Sequence, residues 1–249
     1  MSDFLLALQF LTIIPINLKS VKENALAQPM IYFPLVGAIL GWSFGWLDNI
    51  FSIWGFNHLA ISVIIFAVLT IFTGGLHLDG LSDTFDGLGC RGDKEKVLAV
   101  MRDSSTGSFG VMAIVFALFL KVSFFYSISF MSKSVALVLM CTVSRYAMGL
   151  MIGLFPYARV DGKAKAFIDG VNLKILCLSG VIAAVIVFLA LKWMGLLILV
   201  VTLIVAYGFT WGYAKKINGI TGDVLGSVNE LCEIIVLGLC VFISQGGMF

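Results

Sequence analysis

Long apolar runs, separated by short polar connections, make up most of the chain. They lie near 4–17, 30–54, 58–78, 107–130, 134–155, 175–191, 194–213 and 224–244. A helix needs about 20 mostly apolar residues to cross a bilayer, and unpaired backbone groups are costly in lipid. The pattern therefore predicts an all-α, polytopic transmembrane bundle of about seven or eight membrane helices, in one integral-membrane domain over 1–249.

The first apolar run, Phe4 to Ile16, is short for a span and stops before Asn17 and Lys19. It lacks the basic start and the small-residue cleavage site of a secretory signal. We expect it to stay in the protein as a re-entrant or interfacial helix.

Composition agrees with a membrane protein, since 60% of residues are hydrophobic and 12% charged, against about 45–50% and about 25% in soluble domains. The net charge of +2 and the lack of a basic run give no indication of a nucleic-acid partner. The five cysteines show no CxxC spacing, so we interpret them as apolar packing residues.

Basic residues are distributed unevenly between the two ends of the predicted helices. If the runs pair as hairpins, one side receives 12 of the 16: Lys19, Lys22, Arg91, Lys94, Lys96, Arg102, Arg159, Lys163, Lys165, Lys174, Lys215 and Lys216. The other side receives Lys133 and Lys192, while Lys121 and Arg145 lie within apolar runs. The positive-inside rule makes the rich side cytoplasmic. Most acidic residues lie there too, so we expect a functional site facing the cytoplasm.

The densest acidic signal directly follows the third apolar run. On a continuous helix Asp79, Asp83 and Asp86 stand at i, i+4 and i+7, on one face. Like charges so placed repel beside lipid unless a cation neutralises them. Oxygen-only ligands favour Mg²⁺, with Mn²⁺ as the alternative. Asp103 is a candidate for a fourth ligand, and two metals about 3.5–4 Å apart could clamp a pyrophosphate. A solvated helix face is the competing interpretation.

Small residues surround these acids. The run from Ser104 to Gly110 lies where the next helix begins, so its free amides are candidates to hold a phosphate. Close helix packing is the alternative explanation for the glycines.

Two further polar groups lie inside apolar runs. Arg145 needs an anionic partner, either a protein carboxylate or a substrate phosphate. His77 has no second histidine near it and is interpreted as a packing or hydrogen-bonding residue.

A second polar cluster precedes the last apolar run. Asp223 and Glu230 are seven residues apart and share a helix face. Thr221 and Asp223 are both candidates for the cap of this helix. Glu230 lies two turns further in, where a charge is costly.

Six stretches spread over the whole chain form a recognisable pattern: FLTIIP at 10–15, FPLVG at 33–37, GGLHLDGLSDTFDG at 74–87, MRDS at 101–104, VSR at 143–145 and TGDVLG at 221–226. In this order they resemble a known family, the cobalamin synthases, which are adenosylcobinamide-GDP ribazoletransferases of bacteria and archaea. Ser82 stands where the family pattern has alanine.

The resemblance implies a reaction. In it α-ribazole, free or as its 5′-phosphate, attacks the corrinoid-bearing phosphorus of adenosylcobinamide-GDP, and GMP leaves. The family uses a divalent cation, usually Mg²⁺, and belongs to the cytoplasmic (inner) membrane. The number of assembled copies stays open, and a homo-oligomer is compatible with the sequence.

The resemblance also implies roles for individual residues. Asp79, Asp83, Asp86 and Asp103 would hold metal and pyrophosphate, with Asp86 or Asp103 as a further candidate to accept the hydroxyl proton. Arg102 and Arg145 would stabilise charge on phosphate oxygens, beside Ser104. Thr221, Asp223 and Glu230 would contact substrate or close the site.

Two competing functions make different sequence predictions. A CDP-alcohol phosphatidyltransferase should carry D-x-x-D-G-x-x-A-R, whereas Thr84 follows Asp83 here. A transporter should place charges near mid-bilayer and show two similar halves, but the acids cluster at one interface and no repeat is visible.

Overall fold

The computed structural model describes residues 2–16, 27–159 and 170–245, and regular structure in these ranges is helical. A 3₁₀ turn covers Gln28–Tyr32. The helices are α1 (Ser2–Leu11), α2 (Phe33–Ile53), α3 (His58–Phe72), α4 (Leu76–Gly89), α5 (Lys94–Val100), α6 (Ser108–Ser127), α7 (Phe130–Leu154), α8 (Leu173–Ile217) and α9 (Gly222–Gln245). The all-α polytopic class is confirmed.

Within the described ranges, five helical stretches are long and apolar enough to cross a membrane, or six if the bent pair α3 and α4 counts as one span. The 10-residue α1 is too short for this test. The expected seven or eight spans therefore stay a prediction. The sided count of basic residues includes Lys19, Lys22, Lys163 and Lys165, which lie outside the described residues.

Helix α8 is a hairpin of two arms. A straight helix of its 45 residues would be about 68 Å long, twice the roughly 30 Å hydrocarbon core. The backbone leaves helical geometry at Leu191 and Lys192, and Lys192 has a φ of 50°. A Cβ on Gly195 would lie 2.1 Å from the Val187 carbonyl oxygen, so the second arm turns back along the first. The predicted separate runs, 175–191 and 194–213, are these two arms.

Glycines on α2 allow it to touch the backbone of α7. A Cβ on Gly37 would lie 2.2 Å from the Cys141 carbonyl oxygen, and one on Gly41 would lie 2.4 Å from that of Leu137. Gly45 continues the same four-residue spacing against Ser134. Small residues at this spacing let membrane helices approach closely.

The expectation of one continuous apolar helix over 58–78 is wrong. Helix α3 ends at Phe72, and α4 leaves it at an angle of 88°. Gly74 and Gly75, with φ of 66° and 68°, take the left-handed conformation that side chains disfavour. The acidic segment therefore forms a separate helix, α4, whose axis is nearly perpendicular to that of α3.

Candidate active site

The three acids predicted to share a face all lie on α4, which runs from Leu76 to Gly89. Asp79 is exposed, whereas Asp83 and Asp86 are half-buried. Asp83 is close enough to Asp79, Asp86 and Asp223 for their carboxylates to act on it electrostatically. The structure therefore adds Asp223, from α9, to the predicted acidic face.

Asp86 binds the start of α6. Its Oδ2 accepts a hydrogen bond from the Gly107 amide and its Oδ1 accepts one from the Gly110 amide, both at 2.8 Å. A Cβ on either glycine would lie 2.4 Å from an Asp86 carboxylate oxygen. The prediction that the amides of this helix start hold a phosphate is wrong for these two, because Asp86 already occupies them.

Asp103 lies in the loop before α6 and is fully exposed. Its Oδ1 accepts hydrogen bonds from the backbone amide of Ser105, at 2.9 Å, and from the Ser105 hydroxyl, at 2.7 Å. These bonds hold the pKa of Asp103 below its ordinary value. Arg102 and Ser104 are exposed in the same loop.

Thr221 caps α9, and Asp223 does not. The Thr221 hydroxyl oxygen accepts from the Val224 amide at 3.3 Å, and the hydroxyl donates to Asp223 Oδ2 at 3.3 Å. Asp223 instead pairs with Arg159, whose Nη2 lies 2.8 Å from Asp223 Oδ2. Thr221 thus both caps α9 and holds the Asp223 carboxylate through a hydrogen bond.

A cavity of about 480 Å³ opens beside this ion pair. Its walls come from α1, α4, α7, α9 and the segment after α7, and its polar lining residues include Gln9, Asp79, Tyr157, Arg159 and Asp223. Burial, and secondarily Asp223, raise the pKa of Tyr157, while Arg159 and Arg102 oppose the shift. Arg102 therefore lies close enough to the cavity for its charge to act on Tyr157.

Arg145 and Glu230 belong to a separate buried network. Arg145 Nη1 donates to Glu233 Oε1, so the partner of Arg145 in this structure is a protein carboxylate. Lys121 Nζ lies 2.7 Å from Glu230 Oε2 and 2.9 Å from Glu233 Oε2. All four side chains are at most 5% exposed. Direct contact of Arg145 and Glu230 with substrate stays a prediction.

His77 lies beside this network. Its side chain is 3% exposed, and neither ring nitrogen has a hydrogen-bond partner in the described parts of the chain. This burial agrees with the packing role that we expected.

Sequence reasoning gave no role to Glu233, Lys121, Lys216 or Arg159. Glu233 follows Glu230 by one helical turn, a spacing that could have been noticed. Lys216 Nζ donates to the carbonyls of Gly87, Leu88 and Cys90, at 3.0, 3.0 and 3.2 Å, and so caps the end of α4. For Lys216 and Arg159 no local pattern exists, because their partners are distant in the sequence.

The donor set suits a hard cation bound at an open site. The described residues contain no group of three or more His, Cys, Asp or Glu side chains that could enclose a metal. Mg²⁺ usually takes one or two carboxylates and completes its shell with water and substrate phosphates. Asp79 and Asp83, with Asp86 and Asp223 nearby, fit that arrangement.

A family model described as cobalamin-5-phosphate synthase matches residues 3–241. The chain belongs to this family. The resemblance inferred from the motifs is confirmed over nearly the whole sequence.

Relatives of the chain within this family carry a consistent name, adenosylcobinamide-GDP ribazoletransferase. The protein from Clostridioides difficile is 35% identical, with 95% of this chain and 96% of the relative covered. The protein from Geotalea daltonii is 35% identical, with coverage of 99% and 98%. The protein from Acinetobacter baumannii is 34% identical, with coverage of 95% and 96%. No solved structure matches the chain.

Proposed function

We propose that this chain is an adenosylcobinamide-GDP ribazoletransferase, acting at the late step that assembles the nucleotide loop of cobalamin. The family match over residues 3–241 and the relatives of the same length support this activity. The observation that carries the site assignment is the meeting of Asp79, Asp223 and Arg159 at one cavity. Asp83 is close enough to Asp79 and Asp223 to feel their charge.

The reaction is an in-line displacement at phosphorus. A ribose hydroxyl oxygen of α-ribazole, or of its 5′-phosphate, forms a bond to the phosphorus that bears the corrinoid. The bond from that phosphorus to the bridging oxygen breaks, and GMP leaves with the electron pair. The hydroxyl proton passes to a carboxylate.

The carboxylates divide between these tasks. Both oxygens of Asp86 already accept amide hydrogens, which ties Asp86 to positioning the start of α6. Asp83, which lies within the acidic group, is then the better candidate to accept the hydroxyl proton. Asp103 is the second candidate, through the Oδ2 that its bonds to Ser105 leave free. Arg102 and Ser104, exposed on the adjoining loop, are proposed to contact the phosphates as they enter.

Asp79 and Asp83 would hold Mg²⁺, or Mn²⁺, between the protein and the pyrophosphate. The ion would neutralise charge on the phosphate oxygens as the bridging bond breaks. Without a cation, four neighbouring carboxylates would repel a pyrophosphate rather than bind it.

We place the enzyme in the cytoplasmic membrane, with this cavity facing the cytoplasm. The basic residues of the described connections support that orientation. Arg91, Lys94, Lys96 and Arg102 lie between α4 and α6, and Lys216 contacts the end of α4. A homo-oligomer is compatible with the long lipid-facing surface of α8.

The first test uses purified protein with adenosylcobinamide-GDP and α-ribazole, with Mg²⁺ and with EDTA. We expect GMP and the cobalamin product in equal amounts, only when the metal is present. Asp83→Asn should abolish turnover, because it removes a charge from the acidic face while keeping its shape.

Glu95→Gln is the matched control, since Glu95 is exposed on α5, and it should retain wild-type activity. Full activity of folded Asp83→Asn would contradict the site. Absence of turnover by well-folded wild-type protein would contradict the function and direct the search to lipid substrates.

A further inference from the structure

Arg159 is the one lysine or arginine among the residues found to line the cavity, within the part of the chain that the structure describes. Its side chain is 13% exposed, and that of Asp223 is 22% exposed. An enclosed guanidinium needs anionic partners to offset lost hydration. Asp223 supplies one, through a single nitrogen at 2.8 Å.

The guanidinium keeps donors beyond this ion pair. Arginine has five N–H donors in a planar fork. Only Nη2 of Arg159 is bonded to Asp223; Nε is buried without a partner among the described residues, so Nη1 and the second Nη2 hydrogen are the donors left for a ligand. Tyr157, two residues earlier, lines the same cavity and adds a phenol hydroxyl. Asp223 therefore leaves part of the fork available to a second anion.

The backbone holds Arg159 in place. The Ala158 amide donates to the Ile220 carbonyl, and the Ile220 amide donates to the Pro156 carbonyl, both at 2.8 Å. Gly219, with a φ of 143°, makes this contact possible, because a Cβ there would lie 2.4 Å from the Pro156 oxygen. The residue before Arg159 is thus tied to the residue before Thr221, and Arg159 faces Asp223 without a ligand.

A phosphate is the anion that this arrangement suits. The guanidinium fork matches two phosphate oxygens, and such charge-assisted pairs are among the stronger hydrogen bonds in proteins. The carboxylates of Asp79 and Asp223 border the same space, so a phosphate bound there needs a positive charge close by to offset their repulsion. Arg159 is placed to supply that charge.

We propose that Arg159 binds a phosphate group of the substrate in this cavity and that Asp223 orients its guanidinium. The inference rests on the proposed function and adds a specificity residue to it. Two substrate groups share this chemistry, the pyrophosphate of adenosylcobinamide-GDP and the 5′-phosphate of phosphorylated α-ribazole. The experiment below distinguishes them.

The test compares Arg159→Lys and Arg159→Ala with wild type, using α-ribazole and α-ribazole 5′-phosphate as alternative acceptors. Loss of ground-state binding raises KM and leaves kcat nearly unchanged. If the pyrophosphate is bound, KM for adenosylcobinamide-GDP rises about tenfold or more with either acceptor. If the acceptor phosphate is bound, KM rises only for the 5′-phosphate. Lysine, which keeps the charge without the fork, should give an intermediate effect.

Arg91→Ala is the control, because Arg91 is an exposed arginine outside the cavity. Its KM values should equal those of wild type. Unchanged KM for both phosphate substrates in folded Arg159→Ala would overturn the proposal. Equal losses of kcat with every substrate, accompanied by a lower melting temperature, would also overturn it in favour of a structural role.

Equilibrium binding separates this inference from the proposed function. Isothermal titration of adenosylcobinamide-GDP and of α-ribazole 5′-phosphate in Mg²⁺ needs no turnover. Suppose that wild type shows no turnover in the activity assay but binds one of these compounds, and that Arg159→Ala binds it at least about tenfold more weakly. The phosphate site then stands while the transferase assignment fails. If the alanine variant binds both as wild type does, the site fails whatever the activity.

Discussion

At the scale of single residues, Glu233 holds the buried network together. It accepts hydrogen bonds from Arg145, from Lys121 at 2.9 Å and from Asn229 at 3.0 Å. Two cations and two carboxylates balance in this network. Removing one carboxylate leaves an uncompensated buried charge, which typically costs about 3–5 kcal/mol.

We therefore expect Glu233→Gln to lower the free energy of unfolding by about 3 kcal/mol or more. Thermal unfolding in detergent, followed by tryptophan fluorescence, measures the shift in melting temperature. The exposed Glu95→Gln variant should melt as wild type does. If Glu233→Gln melts with it, the network does not stabilise the fold as argued.

Site residues could be predicted from the sequence where their spacing along one helix brings them together. The spacing of Asp79, Asp83 and Asp86 was enough to place them on one helix face. The pairing of Arg159 with Asp223 joins positions 64 residues apart. Such pairs follow from how helices pack, which a hydropathy pattern does not encode.

At the scale of the helices, the contact between α2 and α7 depends on the absence of a side chain at Gly41. A methyl group there would lie 2.4 Å from the Leu137 carbonyl oxygen and 2.6 Å from the Val138 Cα. Neither atom is the end of a flexible side chain, so the helices must separate. Overpacking of this kind typically costs about 1–3 kcal/mol.

We expect Gly41→Ala to destabilise the protein by about that amount and to reduce the yield of folded protein from membranes. Gly208→Ala is the matched control, because a Cβ on Gly208 meets nothing within 4 Å. Alanine is the better helix former by up to about 1 kcal/mol, so Gly208→Ala should unfold at or above the wild-type temperature. Equal behaviour of the two variants would contradict the packing argument.

The helices themselves were largely predictable, because each lipid-facing stretch needs a long apolar run. The bend after α3 was missed although Gly74 and Gly75 stand side by side. Apolar residues continue through Leu76 and Leu78, so hydropathy gave no sign of a change in direction. The turn depends on two consecutive left-handed residues, which is a backbone property rather than a hydrophobic one.

At the scale of the whole molecule, the loop before α6 and the turn of the α8 hairpin should lie on opposite sides of the membrane. Ser105 lies in the loop before α6, and Lys192 lies at the hairpin turn. We expect a membrane-impermeant maleimide to label Lys192→Cys in intact spheroplasts, and Ser105→Cys only after permeabilisation. The background should lack Cys90 and Cys177, which are not buried.

Labelling of both positions from the same side would contradict the predicted topology. Labelling of Ser105→Cys in intact spheroplasts, with Lys192→Cys labelled only after permeabilisation, would keep the two positions on opposite sides but place the loop before α6 outside. Wild-type activity of each cysteine variant should be checked first, so that the labelled protein is known to be folded.

The angle between α3 and α4 also sets how deep the acids lie. Seven residues of helix cover about 10 Å, so on a helix parallel to the bilayer normal Asp79 and Asp86 would differ in depth by about that distance. Because α4 turns 88° from α3, a steep α3 gives the three acids nearly equal depth. A large water-soluble molecule could then meet them side by side at the surface, without any part of it entering hydrocarbon.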